Sequence, residues 1–387
     1  MAVASQHGET LWHLHLAADS PLQFQAILYC PATNFELLGF GRMEHGLHLC
    51  AKRILVQSDN QDLLPEYLHF IYGLVDSADL PLNVSRETLQ DHQVIPKLKR
   101  VLTKKVLDHL ASLAEEKPEE YRKFYDQFGP ILRTGVASDF ENREKVASLL
   151  RFHSTHGDDR EAVTSLDDYL KRAAEGQEQI YYLTGINQLT VANHPRLSPF
   201  QQRNLEVLLL VDPVDEFALV QLGRYKDKQL ISIDSGDVKF PESTNPAATE
   251  TQAAPKGFPR VLELFRGALG EDVQDVKESS RLGDAPCLVV NAQGGYSRLL
   301  QQVLRQQSQD FSLAKPVLEV NPHAGLISRL CELTNNSEHD EFIRDCGRQL
   351  FAGAQLIDGL NPDPQATTAR MLKFMEDLAR TKSSIIV

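Results

Sequence analysis

The chain has 387 residues, 42% of them hydrophobic and 24% charged, so it has the composition of an ordinary soluble globular protein and a length that predicts two or three domains. Its formal net charge of −13 favours solubility and argues against general nucleic-acid binding, which needs a basic face to displace counterions from phosphates. The longest apolar run, VLLLV, is far short of the roughly 20 residues that cross a bilayer, so no transmembrane helix is expected.

The first hundred residues open with strand patterns. Trp12, Leu14 and Leu16 alternate, as do Phe24, Ala26 and Leu28, and Leu47 and Leu49 lead into RILV. In PEYLHFIYGLVD, Pro65 suits a first helical position, and Leu64, Leu68, Ile71 and Val75 recur at helical spacing, which predicts a helix. Leu80, Leu82 and Val84 then alternate like a half-buried strand, and Ser85 is a good N-cap for a helical turn holding Arg86. A further helix begins near Pro96, with the stripe Ile95, Leu98, Leu102, Val106, Leu110 and Leu113. These residues predict a sheet covered by helices over 1–116.

Residues 117–178 read as a helical connector, with EEYRKFYDQFG, NREKVASLLRFHS and SLDDYLKRAAEG as candidates. A small α/β unit follows over 179–240: strand IYYLTG, a helix at LTVAN, strand LEVLLLVD, a helix around Phe217 to Leu222, and strand QLISID, an alternation that favours a largely parallel sheet. PESTNPAATETQAAPKG, 241–257, reads as a flexible linker. The last module, 258–387, has strands CLVV and PVLEV and ends in helices from about Glu338 to Ile357 and from about Pro364 to Thr381. The fold class expected is α/β (α+β) and multi-domain.

Most chemical motifs fail. GFGRME from Gly39 lacks the third glycine of a dinucleotide loop, no phosphate-binding GxxxxGK[ST] loop exists, and GGYSRL around Ser297 lacks the second glycine of a nucleophile elbow. His13 and His15 share a strand face without a third ligand nearby, so no metal site is expected. His153 and His156 read as helix-end residues that suit the dipole. Cys30, Cys50, Cys287, Cys331 and Cys346 have no CxxC spacing and read as reduced thiols. The stretch MAVASQHGETLW carries no secretory pattern, so a cytoplasmic location is expected.

Arg86 poses a choice. A cation in a first helical turn opposes the helix dipole, which a surface ion pair with Asp79 or Asp91 would offset. Alternatively the free N–H groups of the turn and the guanidinium fork grip an anion, as an arginine finger does for a transferring phosphoryl group.

LLPEYLHFIYGLVDSADLPLNVSRETLQ, residues 63–90, resembles the middle-domain signature of the ninety-kilodalton heat-shock protein family of chaperones, most of all its bacterial HtpG branch. The similarity continues through LLRFHSTHGDD, TSLDDYLKRAAEGQEQIYYLTG and VDEFALVQL, and more weakly through SSRLGDAPCLVV, LEVNPHAGLI and the C-terminal helices. The resemblance implies a middle domain whose Arg86 reaches the γ-phosphate of ATP, with Gln90 and Asn83 in the same catalytic loop. It also implies client-binding residues at Glu216 and Phe217 and on a helix bearing Tyr296, Leu300, Val303 and Leu304, where methionines of the family are replaced. Dimerisation is implied for the C-terminal helices, with Phe342, Cys346 and Leu350 on one stripe and Met371, Leu372, Met375 and Leu378 on the other.

ATP and Mg belong to a GHKL-type N-terminal domain whose motifs are missing here, so no cofactor is expected in this chain and no ATPase activity from it alone. Neither does the chain carry the MEEVD tail that some cochaperones read. The partners implied are a second copy in a homodimer, unfolded or partly folded clients, and other chaperones, without nucleic acid or membrane. Three readings follow: a client-holding dimeric part of a stress-response chaperone; half of a split ATPase that acts once an ATP-binding domain is supplied; and a stand-alone regulatory or dominant-negative partner of a full-length chaperone.

Overall fold

The computed structural model describes residues 9–20, 22–37, 46–80, 93–157, 162–244, 253–279, 282, 285–290, 297, 300–301, 315–358, 360 and 362–384. They form two compact units, Met1–Arg151 with Thr164–Asp168, and Phe152–Val163 with Tyr169–Val387. The content is mixed α/β, with three sheets and flanking helices, as the alternation of periodicities predicts.

In the first unit, β1 (Thr10–Ala18), β2 (Phe24–Pro31), β3 (Leu47–Ala51), β4 (Ile54–Asn60) and β5 (Tyr72–Ser77) form a sheet in the order β1-β2-β5-β3-β4. All its pairs are antiparallel except β3 with β5. Strand alternation points Phe24, Ala26 and Leu28 into the core and leaves Gln25 and Ile27 exposed. Helix α1 (Val94–Glu116) buries the whole stripe read from its sequence. Helix α2 (Pro118–Arg133) adds an aromatic face, in which Phe128 stacks on Phe70 with centroids 4.6 Å apart and Phe124 meets Trp12 edge-on at 6.3 Å. Short helices α3 (Gly135–Ser138) and α4 (Arg143–Leu149) complete the unit, so the helices of 118–149 pack together with the sheet that precedes them.

Two sequence expectations are corrected here. The helix predicted in PEYLHFIYGLVD is a single 3-10 turn, Glu66–Leu68, followed by strand β5. Gly73 explains why: its φ of 151° is closed to most L-residues, and a Cβ there would lie 2.0 Å from the carbonyl oxygen of Ile27 on the neighbouring strand. Leu64, Leu68, Ile71 and Val75 are all buried, but through a turn and a strand rather than one helix face. His153 and His156 do not end a helix. Leu150 turns extended after α4, and His153 lies in β6 (Phe152–Ser154), opposite Leu209. Residues 81–92, with Leu82, Val84 and Ser85, lie outside the described residues.

Beyond β6 come β7 (Val163–Thr164), α5 (Leu166–Arg172), β8 (Gln179–Thr184), α6 (Gln188–Ala192), α7 (Ser198–Gln201), β9 (Leu208–Leu210), α8 (Pro213–Leu222), β10 (Arg224–Tyr225) and β11 (Lys228–Ser232). The six strands order as β10-β11-β8-β9-β6-β7, with parallel pairing in the centre, β11 with β8 and β8 with β9. Every residue of β8 and β9 is buried, as continuous apolar runs in a covered parallel sheet require. The C-terminal module has α9 (Phe258–Leu269), β12 (Asp275–Glu278), β13 (Cys287–Val290), β14 (Val317–Val320), α10 (Gly325–Leu333), α11 (Asp340–Ile357) and α12 (Pro364–Ser384), its strands ordered β12-β14-β13. Phe258, Phe265, Leu318, Ile327 and Ile343 centre its core. The five cysteines are free.

Candidate functional site

Helix α8 starts where its sequence says it should. Asp212 accepts the N–H of Val214 at 3.0 Å as an N-cap, Pro213 takes the first position, and Asp215 and Glu216 complement the dipole of the first turn. The acidic pair beside Phe217, Asp215 and Glu216, is buried, with Glu216 only 1% exposed. Its two carboxylate oxygens accept short bonds from the backbone N–H and the hydroxyl of Ser297, and Thr184 Oγ1 donates from 3.3 Å. Ser297 in turn caps the turn that follows: its Oγ accepts the N–H of Leu300 at 3.2 Å and its carbonyl that of Gln301 at 2.9 Å. Burial pushes the Glu216 carboxyl up; Ser297 pulls it back, Asp234 adds to the rise, and the outcome is above the ordinary value.

Phe217 is half-buried, and Leu300 is buried, at 4% exposure. The structure therefore brings Glu216 and Leu300 together through Ser297, a residue that sequence reasoning weighed only as a hydrolase nucleophile. Tyr296, Val303 and Leu304, and the loop residues Asn83, Arg86 and Gln90, lie outside the described residues. Asp79, a candidate partner for Arg86, accepts the N–H of Gln23 at 2.8 Å.

The two C-terminal helices differ. On α11, Cys346 and Leu350 were expected at a subunit interface, but both pack into the module's own core. The reason is close approach to α9, for a Cβ on Gly347 would lie 2.6 Å from the Phe265 ring. Phe342, on the same stripe, is 42% exposed and meets Phe374 edge-on at 5.7 Å. On α12, Asp363 Oδ1 caps the first turn by accepting the N–H groups of Gln365 and Ala366. The helix is held to α11 by Lys373, 2.8 Å from Asp345, a carboxylate that Arg348 of α11 itself also meets at 2.8 Å. Burial opposes ionisation of Asp345, but those two cations outweigh it and hold its carboxyl below the usual range. Met371, Leu372, Met375 and Leu378 are left facing solvent, 46–61% exposed.

A third cluster was not anticipated. Arg196, buried, places Nη1 2.8 Å from Asp234 and 2.7 Å from Asp358, and its Nη2 donates to Asp358 Oδ2 at 3.0 Å and to the carbonyl of Val289. His194 Nδ1 accepts the Arg196 N–H at 3.2 Å, which puts the ring proton on Nε2, 3.5 Å from Asp358. Burial lowers the Arg196 pKa, but Asp234 and Asp358 overcome it and leave the guanidinium more firmly charged than usual. No spacing could reveal this group, since Arg196 and Asp358 are 162 residues apart. Among the described residues, no group of three or more His, Cys, Asp or Glu side chains could hold a metal ion, and no helix is long and apolar enough to cross a membrane.

Comparison with known proteins agrees with this architecture. The family model described as Hsp90 protein matches residues 2–384. The chaperone protein HtpG of Nitratidesulfovibrio vulgaris is 40% identical over 372 residues, which cover 94% of this chain and 58% of the relative. Those of Desulfitobacterium hafniense and Chlorobium luteolum are 35% and 37% identical, covering 98% and 97% of this chain and 61% and 60% of the relatives. The matches thus place the chain in a known protein family. More particularly, it belongs to the Hsp90 protein family. It spans about three fifths of the length of these relatives.

Proposed function

We propose that this region holds non-native client proteins and dimerises, as the middle and C-terminal parts of a cytoplasmic chaperone. The observation that carries this reading is the solvent-facing apolar stripe of α12, Met371, Leu372, Met375 and Leu378, on a helix anchored to its own module by the Lys373–Asp345 ion pair and the Phe374–Phe342 ring contact. Burying these half-exposed side chains from two copies is worth on the order of 10 kcal/mol. That is comparable to an association cost of about 4–15 kcal/mol, so further contacts must join in. Phe342, Leu356 and Ile357, 42–54% exposed, are available for that. In this reading the interface is isologous, the same α12 face being used by both copies.

The same proposal gives Arg86, with Gln90 and Asn83, the role of reaching ATP held by a GHKL-type domain outside this chain. Little covalent chemistry is asked of a protein in phosphoryl transfer, so a positioned guanidinium acts by stabilising charge on the phosphoryl oxygens. The chain is therefore mixed with an ATP-binding domain of the family while phosphate release is followed. Stimulation that Arg86→Ala lowers by roughly a thousandfold or more supports the role, since trans-acting arginines are worth about 10³–10⁵. Equal stimulation by both forms refutes it.

A further inference from the structure

The sheet of the C-terminal module ends at β13, and its ladder fixes which backbone groups that edge leaves over. β13 pairs antiparallel with β14, Cys287 opposite Val320 and Val289 opposite Leu318. Asn321 donates its N–H to the carbonyl of Pro286 at 3.0 Å, so residues 286 and 321 are a hydrogen-bonded pair. Such pairs alternate along an antiparallel ladder with pairs that share no bond, so Cys287 and Val289 turn their N–H and C=O groups away from β14. Two bonds agree with this alternation: Arg196 Nη2 donates to the outward carbonyl of Val289, and on the far side of β14 the carbonyl of Val320 accepts the N–H of Ser279 at 2.9 Å. Cys287 keeps an outward backbone donor and acceptor that nothing among the described residues bonds.

A cavity of about 390 Å³ lies along this edge, with Arg196 and Cys287 both on its wall. Phe200 and Phe240 line one side, and Leu288, Leu350 and Ile357 the other. Ile357 is 46% exposed, and Phe240, Leu288 and Leu350 are half-buried, so the concavity leaves apolar side chains in water. Cys287 Sγ donates to the carbonyl of Leu350 at 3.7 Å, which directs its side chain toward α11. A residue placed opposite Cys287 on an added strand presents its side chain on that same face, toward α11 and the cavity.

We propose that β13 and this cavity form a docking site for an extended apolar peptide segment, one residue of which bonds the backbone N–H and C=O of Cys287 and seats a large apolar side chain in the cavity. The free backbone pair selects an extended chain, as in strand addition to a sheet edge, and the walls select the side chain. Arg196 and Asp358 on the wall are bonded to each other and ask for no charge from the occupant. The stretch read is short, because the carbonyl of Ala285 accepts Asn321 Nδ2 at 3.2 Å and that of Val289 accepts Arg196. The identity of the partner as a non-native protein rests on the client-holding role proposed above. Gly353 of α11 offers a plug: it lines the cavity, and a Cβ added there meets nothing within 4 Å.

The test uses the full 387-residue chain and calorimetric titration with neutral capped peptides. Acetyl-Ser-Val-Phe-Val-Ser-amide is the probe; one control replaces its Phe by Ala, and another carries N-methyl groups on the Phe amide and the amide after it, which removes the N–H offered to Cys287 in either strand direction. The probe is expected to bind at least about tenfold more tightly than either control, one testing the cavity and the other the backbone pair. Gly353→Leu is expected to weaken the probe by a similar factor while the melting temperature holds or rises, because a helical glycine is replaced by a better helix former. No saturable binding below about 10 mM, equal binding of the N-methylated peptide, or full affinity in a folded Gly353→Leu protein would overturn the assignment. Suppression of aggregation by the unsubstituted chain, measured alongside, separates the two claims: if it persists while the probe fails to bind, this site falls and the client-holding role stands.

Discussion

The carboxylate of Glu216 receives both the backbone N–H and the hydroxyl of Ser297, so one buried side chain ties the first turn of α8 to the turn at Leu300 and Gln301. Because the folded protein raises the pKa of this acid, the native state binds the proton more tightly than the unfolded chain does. Stability from this group is then fullest below the ordinary glutamate range near 4.5 and falls as pH rises through the raised folded value. Glu216→Gln keeps the size and an acceptor for the Ser297 N–H but never ionises. Thermal melts should show a larger gain for Glu216→Gln near about pH 8 than near about pH 5. An equal difference at both pH values would show that desolvation of the carboxylate is not what sets its energy.

Arg196 neutralises two buried carboxylates at once, so removing it leaves Asp234 and Asp358 without their shared cation. Breaking a buried pair in this way costs about 3–5 kcal/mol. Arg196→Met should lower the unfolding free energy of the second unit, read from denaturant unfolding, by that amount. A loss below about 1 kcal/mol, the range of exposed pairs, would show that the cluster is solvated.

Phe217 is the half-buried member of a helix whose Ala218, Leu219 and Leu222 are core. In the proposed chaperone role its exposed edge contacts client chains. Phe217→Ala should reduce suppression of aggregation of a denatured test protein by severalfold while leaving the dimer mass unchanged. Suppression identical to that of the unsubstituted chain would remove Phe217 from the client surface.

Where one period dominates a long segment, sequence and structure coincide. The α1 stripe from Ile95 to Leu113 is buried throughout, and the capped start of α12 at Asp363 and Pro364 falls where the turn chemistry puts it. Short apolar runs were less legible: Leu68, Ile71 and Val75 satisfy a helical spacing and a turn followed by a strand equally well, and only the cross-strand approach at Gly73 decides between them. Stripes on α11 and α12 look alike in sequence, yet Cys346 is core and Met375 is exposed, because what covers a helix face is a tertiary fact. The Glu216–Ser297 bond and the Arg196 cluster join residues with no periodic relation, so they emerge only from coordinates.

The mass of the chain in solution tests the account most directly. Light scattering on the 43.4 kDa chain at micromolar concentration should give twice that mass. The double variant Met375→Glu with Leu378→Glu, which puts charges on the exposed α12 stripe, should give the mass of one chain with unchanged circular dichroism. A monomeric unsubstituted chain, or a double variant that still dimerises, would contradict dimerisation through this face.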